Sequence, residues 1–256
     1  MTIATVQFMS AALGRMMSYN IILPKSGAGP YPVVLQLHGH ADDHTTWLQR
    51  TNIAVYAWSH PMIIVFPDGE NSYYLNLDEP GSLRKWHKEK YEDFIVKDLR
   101  EHITNTFHVQ PGRWAIGGHS MGGFGATRLG CKYPELFASV WAHSGAFWTR
   151  DDLEDTVPDL DDADIYLHAE RLAQSIHKVE LTFDCGLDDH LLAKNRALHA
   201  HMDKIGLPHQ YIENQGAHQW EYWDKHVSAA LIQHADVFRR EAVNFSPNRS
   251  VILHSG

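Results

Sequence analysis

Short unbroken apolar runs alternate with stretches of helical periodicity along most of this chain. Val33-Val-Leu-Gln-Leu37, Met62-Ile-Ile-Val-Phe66 and Val179-Glu-Leu-Thr-Phe183 are too short for helices and are bounded by turn residues. Such runs predict strands, and the largely apolar 33–37 and 62–66 predict burial on both faces. Trp114–Ile116, Ala138–Ala142 and Gln210–Glu213 complete that series. Between them, Phe94, Ile95, Leu99, Ile103 and Phe107 recur at helical spacing, which predicts a helix over 91–107. Further helices are expected from about 47 to 58, 121 to 132, 191 to 205, and from just past Trp220 to about Arg239. Ahead of these, residues 5–9 and 15–23 predict an antiparallel pair at a sheet edge.

Strands alternating with helices in this way predict an α/β fold, with a mostly parallel central sheet and helices on both faces. Functional loops then belong at the carboxyl ends of the strands. The expectation is one domain over 1–256, with an excursion at about 146–178 and a tail at about 241–256. Within the excursion, the acidic run from Thr149 to Asp164 reads as a solvated segment with a short helix after it. Residues 70–90 show little periodicity. Tyr73, Tyr74, Trp86 and Tyr91 stand among polar residues there, so an ordered loop that lines a cleft is expected.

A net charge of −9, counting histidine as neutral, argues against nucleic acid or an anionic membrane as partner. Two cysteines, Cys131 and Cys185, imply no disulfide framework. The first residues lack a basic segment followed by an apolar core, and no apolar run approaches membrane-spanning length. These features lead to a cytoplasmic expectation and leave a homo-oligomer open. Nineteen histidines invite a metal, but none stands in a His-Glu-x-x-His pattern and no Cys-x-x-Cys exists. His38 and His40 alternate along a strand end and so face opposite ways. No metal is expected.

The chemistry concentrates at Gly118-His-Ser-Met-Gly122, between the strand ending at Ile116 and a small-residue stretch that can open a helix. Strand, sharp turn with serine at its apex, then helix is the context of a nucleophile elbow. The glycines are there because a Cβ at either position would strike the neighbouring strand or helix. A serine hydroxyl is a weak nucleophile at neutral pH and needs a base within hydrogen-bond reach. His218 follows the last predicted strand and supplies an imidazole of suitable pKa. The order serine, carboxylate, histidine then requires an acid after the preceding strand. Asp184, Asp188 and Asp189 compete. Asp184 lies in or at the end of the strand, and Asp189, in Gly-x-x-Asp, is preferred to Asp188 because it lies past that end. Two N–H groups should face a developing oxyanion: that of Met121 at the helix start, and that of His40 after the close turn at Gly39.

In order, Leu37-His-Gly39 with Trp47, Pro67-Asp-Gly69 with Ser72-Tyr-Tyr74, Tyr91-Glu-Asp-Phe-Ile-Val96, Gly118-His-Ser-Met-Gly-Gly123, Ser144-Gly145, Asp184-Cys-Gly-Leu-Asp-Asp189 and His218-Gln-Trp220 form a specific set. Over about residues 14–240 the chain resembles the putative-esterase group of α/β-hydrolases. That group includes tributyrin, acetyl-xylan and feruloyl esterases, S-formylglutathione hydrolases and mycolyltransferases. The resemblance implies the α/β-hydrolase fold, Ser120, Asp189 and His218 as triad, and no cofactor. Three residues depart from the pattern: His119 where leucine is common, His190 where an aromatic is common, and His40 where an apolar residue is usual. Trp47, Tyr73, Tyr74, His119 and His190 are the candidate substrate contacts. The expectation is a serine carboxylester hydrolase acting on a small-molecule, short-chain ester. An S-formylglutathione-type thioesterase and an acyltransferase are the alternatives on the same scaffold.

Overall fold

A computed structural model describes residues 1–25, 29–77, 89–154 and 157–245. Trp86, in the loop at 70–90, and Asp155, in the acidic run, lie outside these. Eight strands form one sheet in the order β1-β2-β4-β3-β5-β6-β7-β8. They are β1 Thr2–Ser10, β2 Arg15–Leu23, β3 Val33–Leu37, β4 Ile63–Pro67, β5 Trp114–His119, β6 Phe137–His143, β7 Glu180–Gly186 and β8 Gln210–Asn214. The pairs β1–β2 and β2–β4 are antiparallel, and every pairing from β4 through β8 is parallel. β3, β4 and β5 are buried at every position, in keeping with their largely apolar runs, and enclose the polar Gln36 and His119 as well.

Helices cover both faces. One core joins the sheet to α3 (residues 91–106), α4 (Met121–Lys132), α7 (Ile165–Ala173) and α8 (Leu192–Ile205) through Phe94, Phe124, Ile165 and Leu198. The other joins it to α1 (Thr46–Arg50), α2 (Ile53–Tyr56) and α9 (Trp220–Phe245) through Trp47, Ile53, Val227 and Leu231. The order of strands reverses at β3, which has β4 on one side and β5 on the other, both parallel to it. Crevices for ligands form at such a switch point, outside the carboxyl ends of the strands.

Three elements differ from the sequence expectation, each for a tertiary reason. The helix expected over 47–58 is broken at Thr51, which is extended (φ −136°, ψ 167°). There Asp224 of α9 accepts from the Asn52 backbone (2.7 Å) and side chain (2.9 Å), so a contact from a distant helix starts α2 afresh. The 91–106 helix widens to a π-turn over Phe94–Leu99, which keeps Phe94, Ile95, Val96 and Leu99 all buried. The last helix runs on to Phe245, past Arg239, where its apolar pattern thins; Arg113 pairs with Glu241 in the added turns. The first residues of the expected tail are therefore helical, and 246–256 lie outside the described residues.

The acidic run is largely solvated, as expected, with Asp162 and Asp164 drawn inward. It forms α5 (Arg150–Leu153), α6 (Leu160–Ala163) and α7. Asp159 and Asp164 cap the starts of α6 and α7, where backbone N–H groups lack helical acceptors. Asp162 pairs with Arg128 and Lys132 of α4. Arg128 is wholly buried and also meets Glu92 of α3 at 2.5 Å, so one guanidinium ties three elements together. Of the irregular loop, Ser72, Tyr74 and Leu75 are buried against the core.

Candidate active site

Ser120 stands between β5 and α4 with φ 52° and ψ −117°, a backbone that L-residues rarely adopt. Hydrogen bonds on every side hold it there. Its N–H donates to the His143 carbonyl (2.9 Å), while its own carbonyl accepts from Phe124 (3.0 Å) and Ala146 (3.1 Å). The flanking glycines are obligatory. A Cβ on Gly118 would lie 2.6 Å from Gly122 backbone, and one on Gly122 would lie 2.5 Å from the Leu37 carbonyl. Close approach of α4 to β3 is thus written into the two glycines.

His218, in the loop between β8 and α9, brings Nε2 to 3.0 Å from Ser120 Oγ. Its Nδ1 lies 2.9 and 3.1 Å from the two carboxylate oxygens of Asp189, in the loop between β7 and α8. With Nδ1–H donating to the carboxylate, the bare Nε2 faces the serine hydroxyl. Burial pushes the Asp189 carboxyl up. His218, the Leu191 N–H at 2.8 Å and the Ser144 hydroxyl together hold it below the usual carboxylate range. Asp188 is exposed, and Asp184 is committed elsewhere. Asp184 lies wholly buried in β7, accepting from Trp141 Nε1 (2.6 Å) and bonded to His143 Nδ1 (2.7 Å).

The loop after β3 is built to bring its backbone close to the serine. His38 accepts from the Gly69 N–H through Nε2 (2.8 Å) and donates from Nδ1 to the Gly39 carbonyl (2.8 Å). Tyr74 donates its hydroxyl to the His38 carbonyl at 3.0 Å. A Cβ on Gly39 would lie 2.5 Å from His119 Nε2, so the turn needs glycine. His40 follows, exposed, at the edge of a cavity of about 360 Å³. Met121 opens α4, and the first N–H groups of a helix have no acceptor within it. His40, Asp42, Arg50, His119, Ser120, His218 and Trp220 are among the cavity's lining.

The other candidates divide. His119 is buried in the cavity wall, 3.0 Å from Asp42 and packed on Trp220 and Trp223. Burial holds its imidazole down to about 4 against the pull of Asp42. His190 is exposed, with its ring 4.5 Å from that of His218 and Nδ1 3.7 Å from Asp189. Trp47, Tyr73 and Tyr74 are not among the residues that line the cavity. Trp47 is buried and donates to the Leu37 carbonyl (2.9 Å), Tyr74 is buried behind the His38 loop, and Tyr73 packs edge-on against Phe124. These aromatics build the walls from behind. Sequence reasoning gave no role to Ser144, at φ 49° just past β6, which receives the Trp223 indole N–H (3.2 Å) and supports Asp189. Its place in the Ser144-Gly145 pair was the available signal. The Asp42–His119 contact spans 77 positions and left no local trace.

Sheet order, elbow and loop placement define an α/β-hydrolase. A family model described as "Putative esterase" matches residues 10–234, and the chain belongs to that family. An acetyl esterase of Caldicellulosiruptor saccharolyticus is 29% identical over 223 residues, covering 76% of this chain and 80% of that one. An S-formylglutathione hydrolase of Paracoccus denitrificans is 27% identical over 154 residues, so the match spans about half of each chain (52% and 53%). Among solved structures, the substrate-bound fluorophosphonate-binding serine hydrolase F of Staphylococcus aureus superposes with a TM-score of 0.81 at 23% identity, covering 91% and 98%. The protein is an esterase. Among the described residues no helix is long and apolar enough to cross a membrane.

Proposed function

We propose that this esterase hydrolyses short-chain carboxylic esters through an acyl-enzyme on Ser120. The observation that carries the reading is the continuous contact from Asp189 through His218 to Ser120 Oγ at the wall of the cavity. His218 takes the hydroxyl proton as Oγ attacks the ester carbonyl, and Asp189 steadies the imidazolium that results. The oxygen that gains charge lies within reach of the Met121 and His40 N–H groups, and the collapsing intermediate takes its proton back from His218 as the alcohol leaves. Water, deprotonated by the same imidazole, then releases the acid. Nothing in these steps calls for a cofactor.

Short acyl groups fit the surroundings. Asp42, Arg50, His119 and Glu221 give the cavity a polar lining, and a methylene contributes about 0.8 kcal/mol only where it leaves water. A panel of nitrophenyl esters from acetyl to dodecanoyl, with feruloyl and acetyl-sugar esters and S-formylglutathione, tests this. The expected result is the highest kcat/KM between acetyl and butyryl, with a fall by octanoyl. Rates that climb steadily to dodecanoyl would contradict it. The S-formylglutathione hydrolase relative favours a thioesterase as second reading; that substrate outpacing every oxygen ester by orders of magnitude would decide for it. A cytoplasmic setting is part of the same proposal, supported by two unpaired, buried cysteines.

A further inference from the structure

Outside the cavity, three ligand-type side chains converge between α8 and β8. His199 and Asp203 stand four residues apart on one face of α8. Gly206, in the left-handed conformation (φ 70°), ends the helix and turns the chain back so that His209, just before β8, meets them. His209 donates from Nδ1 to the Leu207 carbonyl at 2.8 Å, which leaves Nε2 as a bare lone pair. That atom faces His199 Nδ1 at 2.8 Å and Asp203 Oδ1 at 4.0 Å. Stacking on Phe183 and a Tyr211 ring over His199 fix the two imidazoles. The His209 side chain is 3% exposed and that of Asp203 63%, so the cluster has a rigid inner wall and an open outer side.

With both rings neutral this arrangement is poorly satisfied. If His199 Nδ1–H donates to His209, His199 Nε2 is left bare against Asp203 Oδ2 at 3.5 Å, two acceptors facing one another. Among the described residues the ion-pair contacts of Asp203 are these two histidines alone. A cation resolves the conflict. We propose that His199, Asp203 and His209 form a binding site for a first-row divalent ion, zinc in the first instance, that ties α8 to β8. Two imidazoles and one carboxylate suit zinc or its neighbours rather than calcium or magnesium, which prefer all-oxygen shells. Zinc–nitrogen bonds of about 2.0–2.1 Å set neighbouring tetrahedral ligand atoms roughly 3.3 Å apart. The gaps of 2.8 and 4.0 Å bracket that spacing. The His209 Nδ1–carbonyl bond is the outer contact that orients a ligating imidazole. Glu213 is close enough to feel His199, but Arg196 (2.7 Å to each oxygen) and Tyr211 (2.9 Å) occupy its carboxylate. The fourth position therefore falls to water. The role is a staple: α8 starts behind the Asp189 loop, and β8 leads into the His218 loop.

Equilibrium dialysis of untagged, chelator-stripped protein against zinc alone is the test, beside Asp203→Asn and His199→Gln. Wild-type protein should take up one equivalent, and each variant should bind about tenfold more weakly or worse. Zinc should raise the unfolding temperature of wild type and not of the variants. Zinc-free ester turnover should be the same in all three. Asp203 is largely exposed, so its variant folds regardless of the outcome at His199. No saturable uptake overturns the proposal. So does uptake that both variants retain, which, with zinc then inhibiting turnover, would move the ion to Asp189, His190 and His218.

Discussion

Asp189 and Asp188 are neighbours in sequence with opposite surroundings. Asp189 is buried and bonded to His218 and the Leu191 N–H, with the Ser144 hydroxyl also holding its charge, whereas Asp188 is exposed. Removing the charge of a carboxylate that orients a triad histidine costs about 10⁴ in kcat. Asp189→Asn should approach that loss, and Asp188→Asn should stay within a few-fold of wild type, in single-turnover assays at saturating ester. The reverse ranking would move the acid one residue along. Ser144→Ala removes a hydroxyl that helps hold the Asp189 charge while leaving His218 in place. A fall of roughly tenfold in kcat with little change in KM is expected, in keeping with the 1–3 kcal/mol of a lost hydrogen bond to a charged group. An unchanged kcat would reduce Ser144 to a packing residue.

At the scale of elements, the site depends on loops that touch through glycine. A Cβ on Gly186, at the end of β7, would lie 2.3 Å from the Gly216 carbonyl in the loop that carries His218. Gly186→Ala should therefore force the His218 loop away from Ser120. Displacements of about 1 Å cost on the order of 10²-fold in rate, so activity should collapse while circular dichroism stays that of wild type. Retained turnover would show that the loop yields. The elements themselves were largely legible: β3 and α8 fall within a residue of their predicted bounds, because short apolar runs and 3.6-residue spacing reflect burial directly. What was illegible came from partners distant in sequence. Asp224 breaks the helix after Arg50 from 172 positions away, and Arg113 secures the end of α9 from 128 away. The acidic run read as solvated, which most of its described carboxylates are; only the turn of Asp162 onto buried Arg128 left no local signature.

For the whole molecule, acid should act well above the carboxylate range. Burial holds His119 down to about 4 and His234 down to about 3, so both stay neutral in the folded state while their unfolded counterparts take up protons near pH 6.5. The unfolded state then binds more protons, and stability falls as pH drops below about 6.5 by up to about 1.4 kcal/mol per pH unit for each such group. The lowered carboxyls, Asp184 and Asp189, stabilise the fold above their unfolded values and add their loss only below about pH 4. Urea midpoints at pH 7.5, 6 and 5 should decline, with a shallower decline in His234→Gln. A flat profile would mean that water reaches these imidazoles.

The convergence of the candidate residues was legible because four of them fell at the carboxyl ends of predicted strands, which the parallel sheet gathers on one side. The cavity wall was not, since whether Trp47 and Tyr74 face the cavity or support it from behind depends on packing that no periodicity encodes. The account as a whole rests on one covalent bond. Rapid quenching of the protein with a slowly released nitrophenyl ester, followed by peptide mass spectrometry, measures it directly. An acyl group on the Ser120 peptide, formed with one equivalent of nitrophenol and absent in Ser120→Ala, is the predicted result. Full turnover in Ser120→Ala, or an acyl group on any other residue, would contradict it.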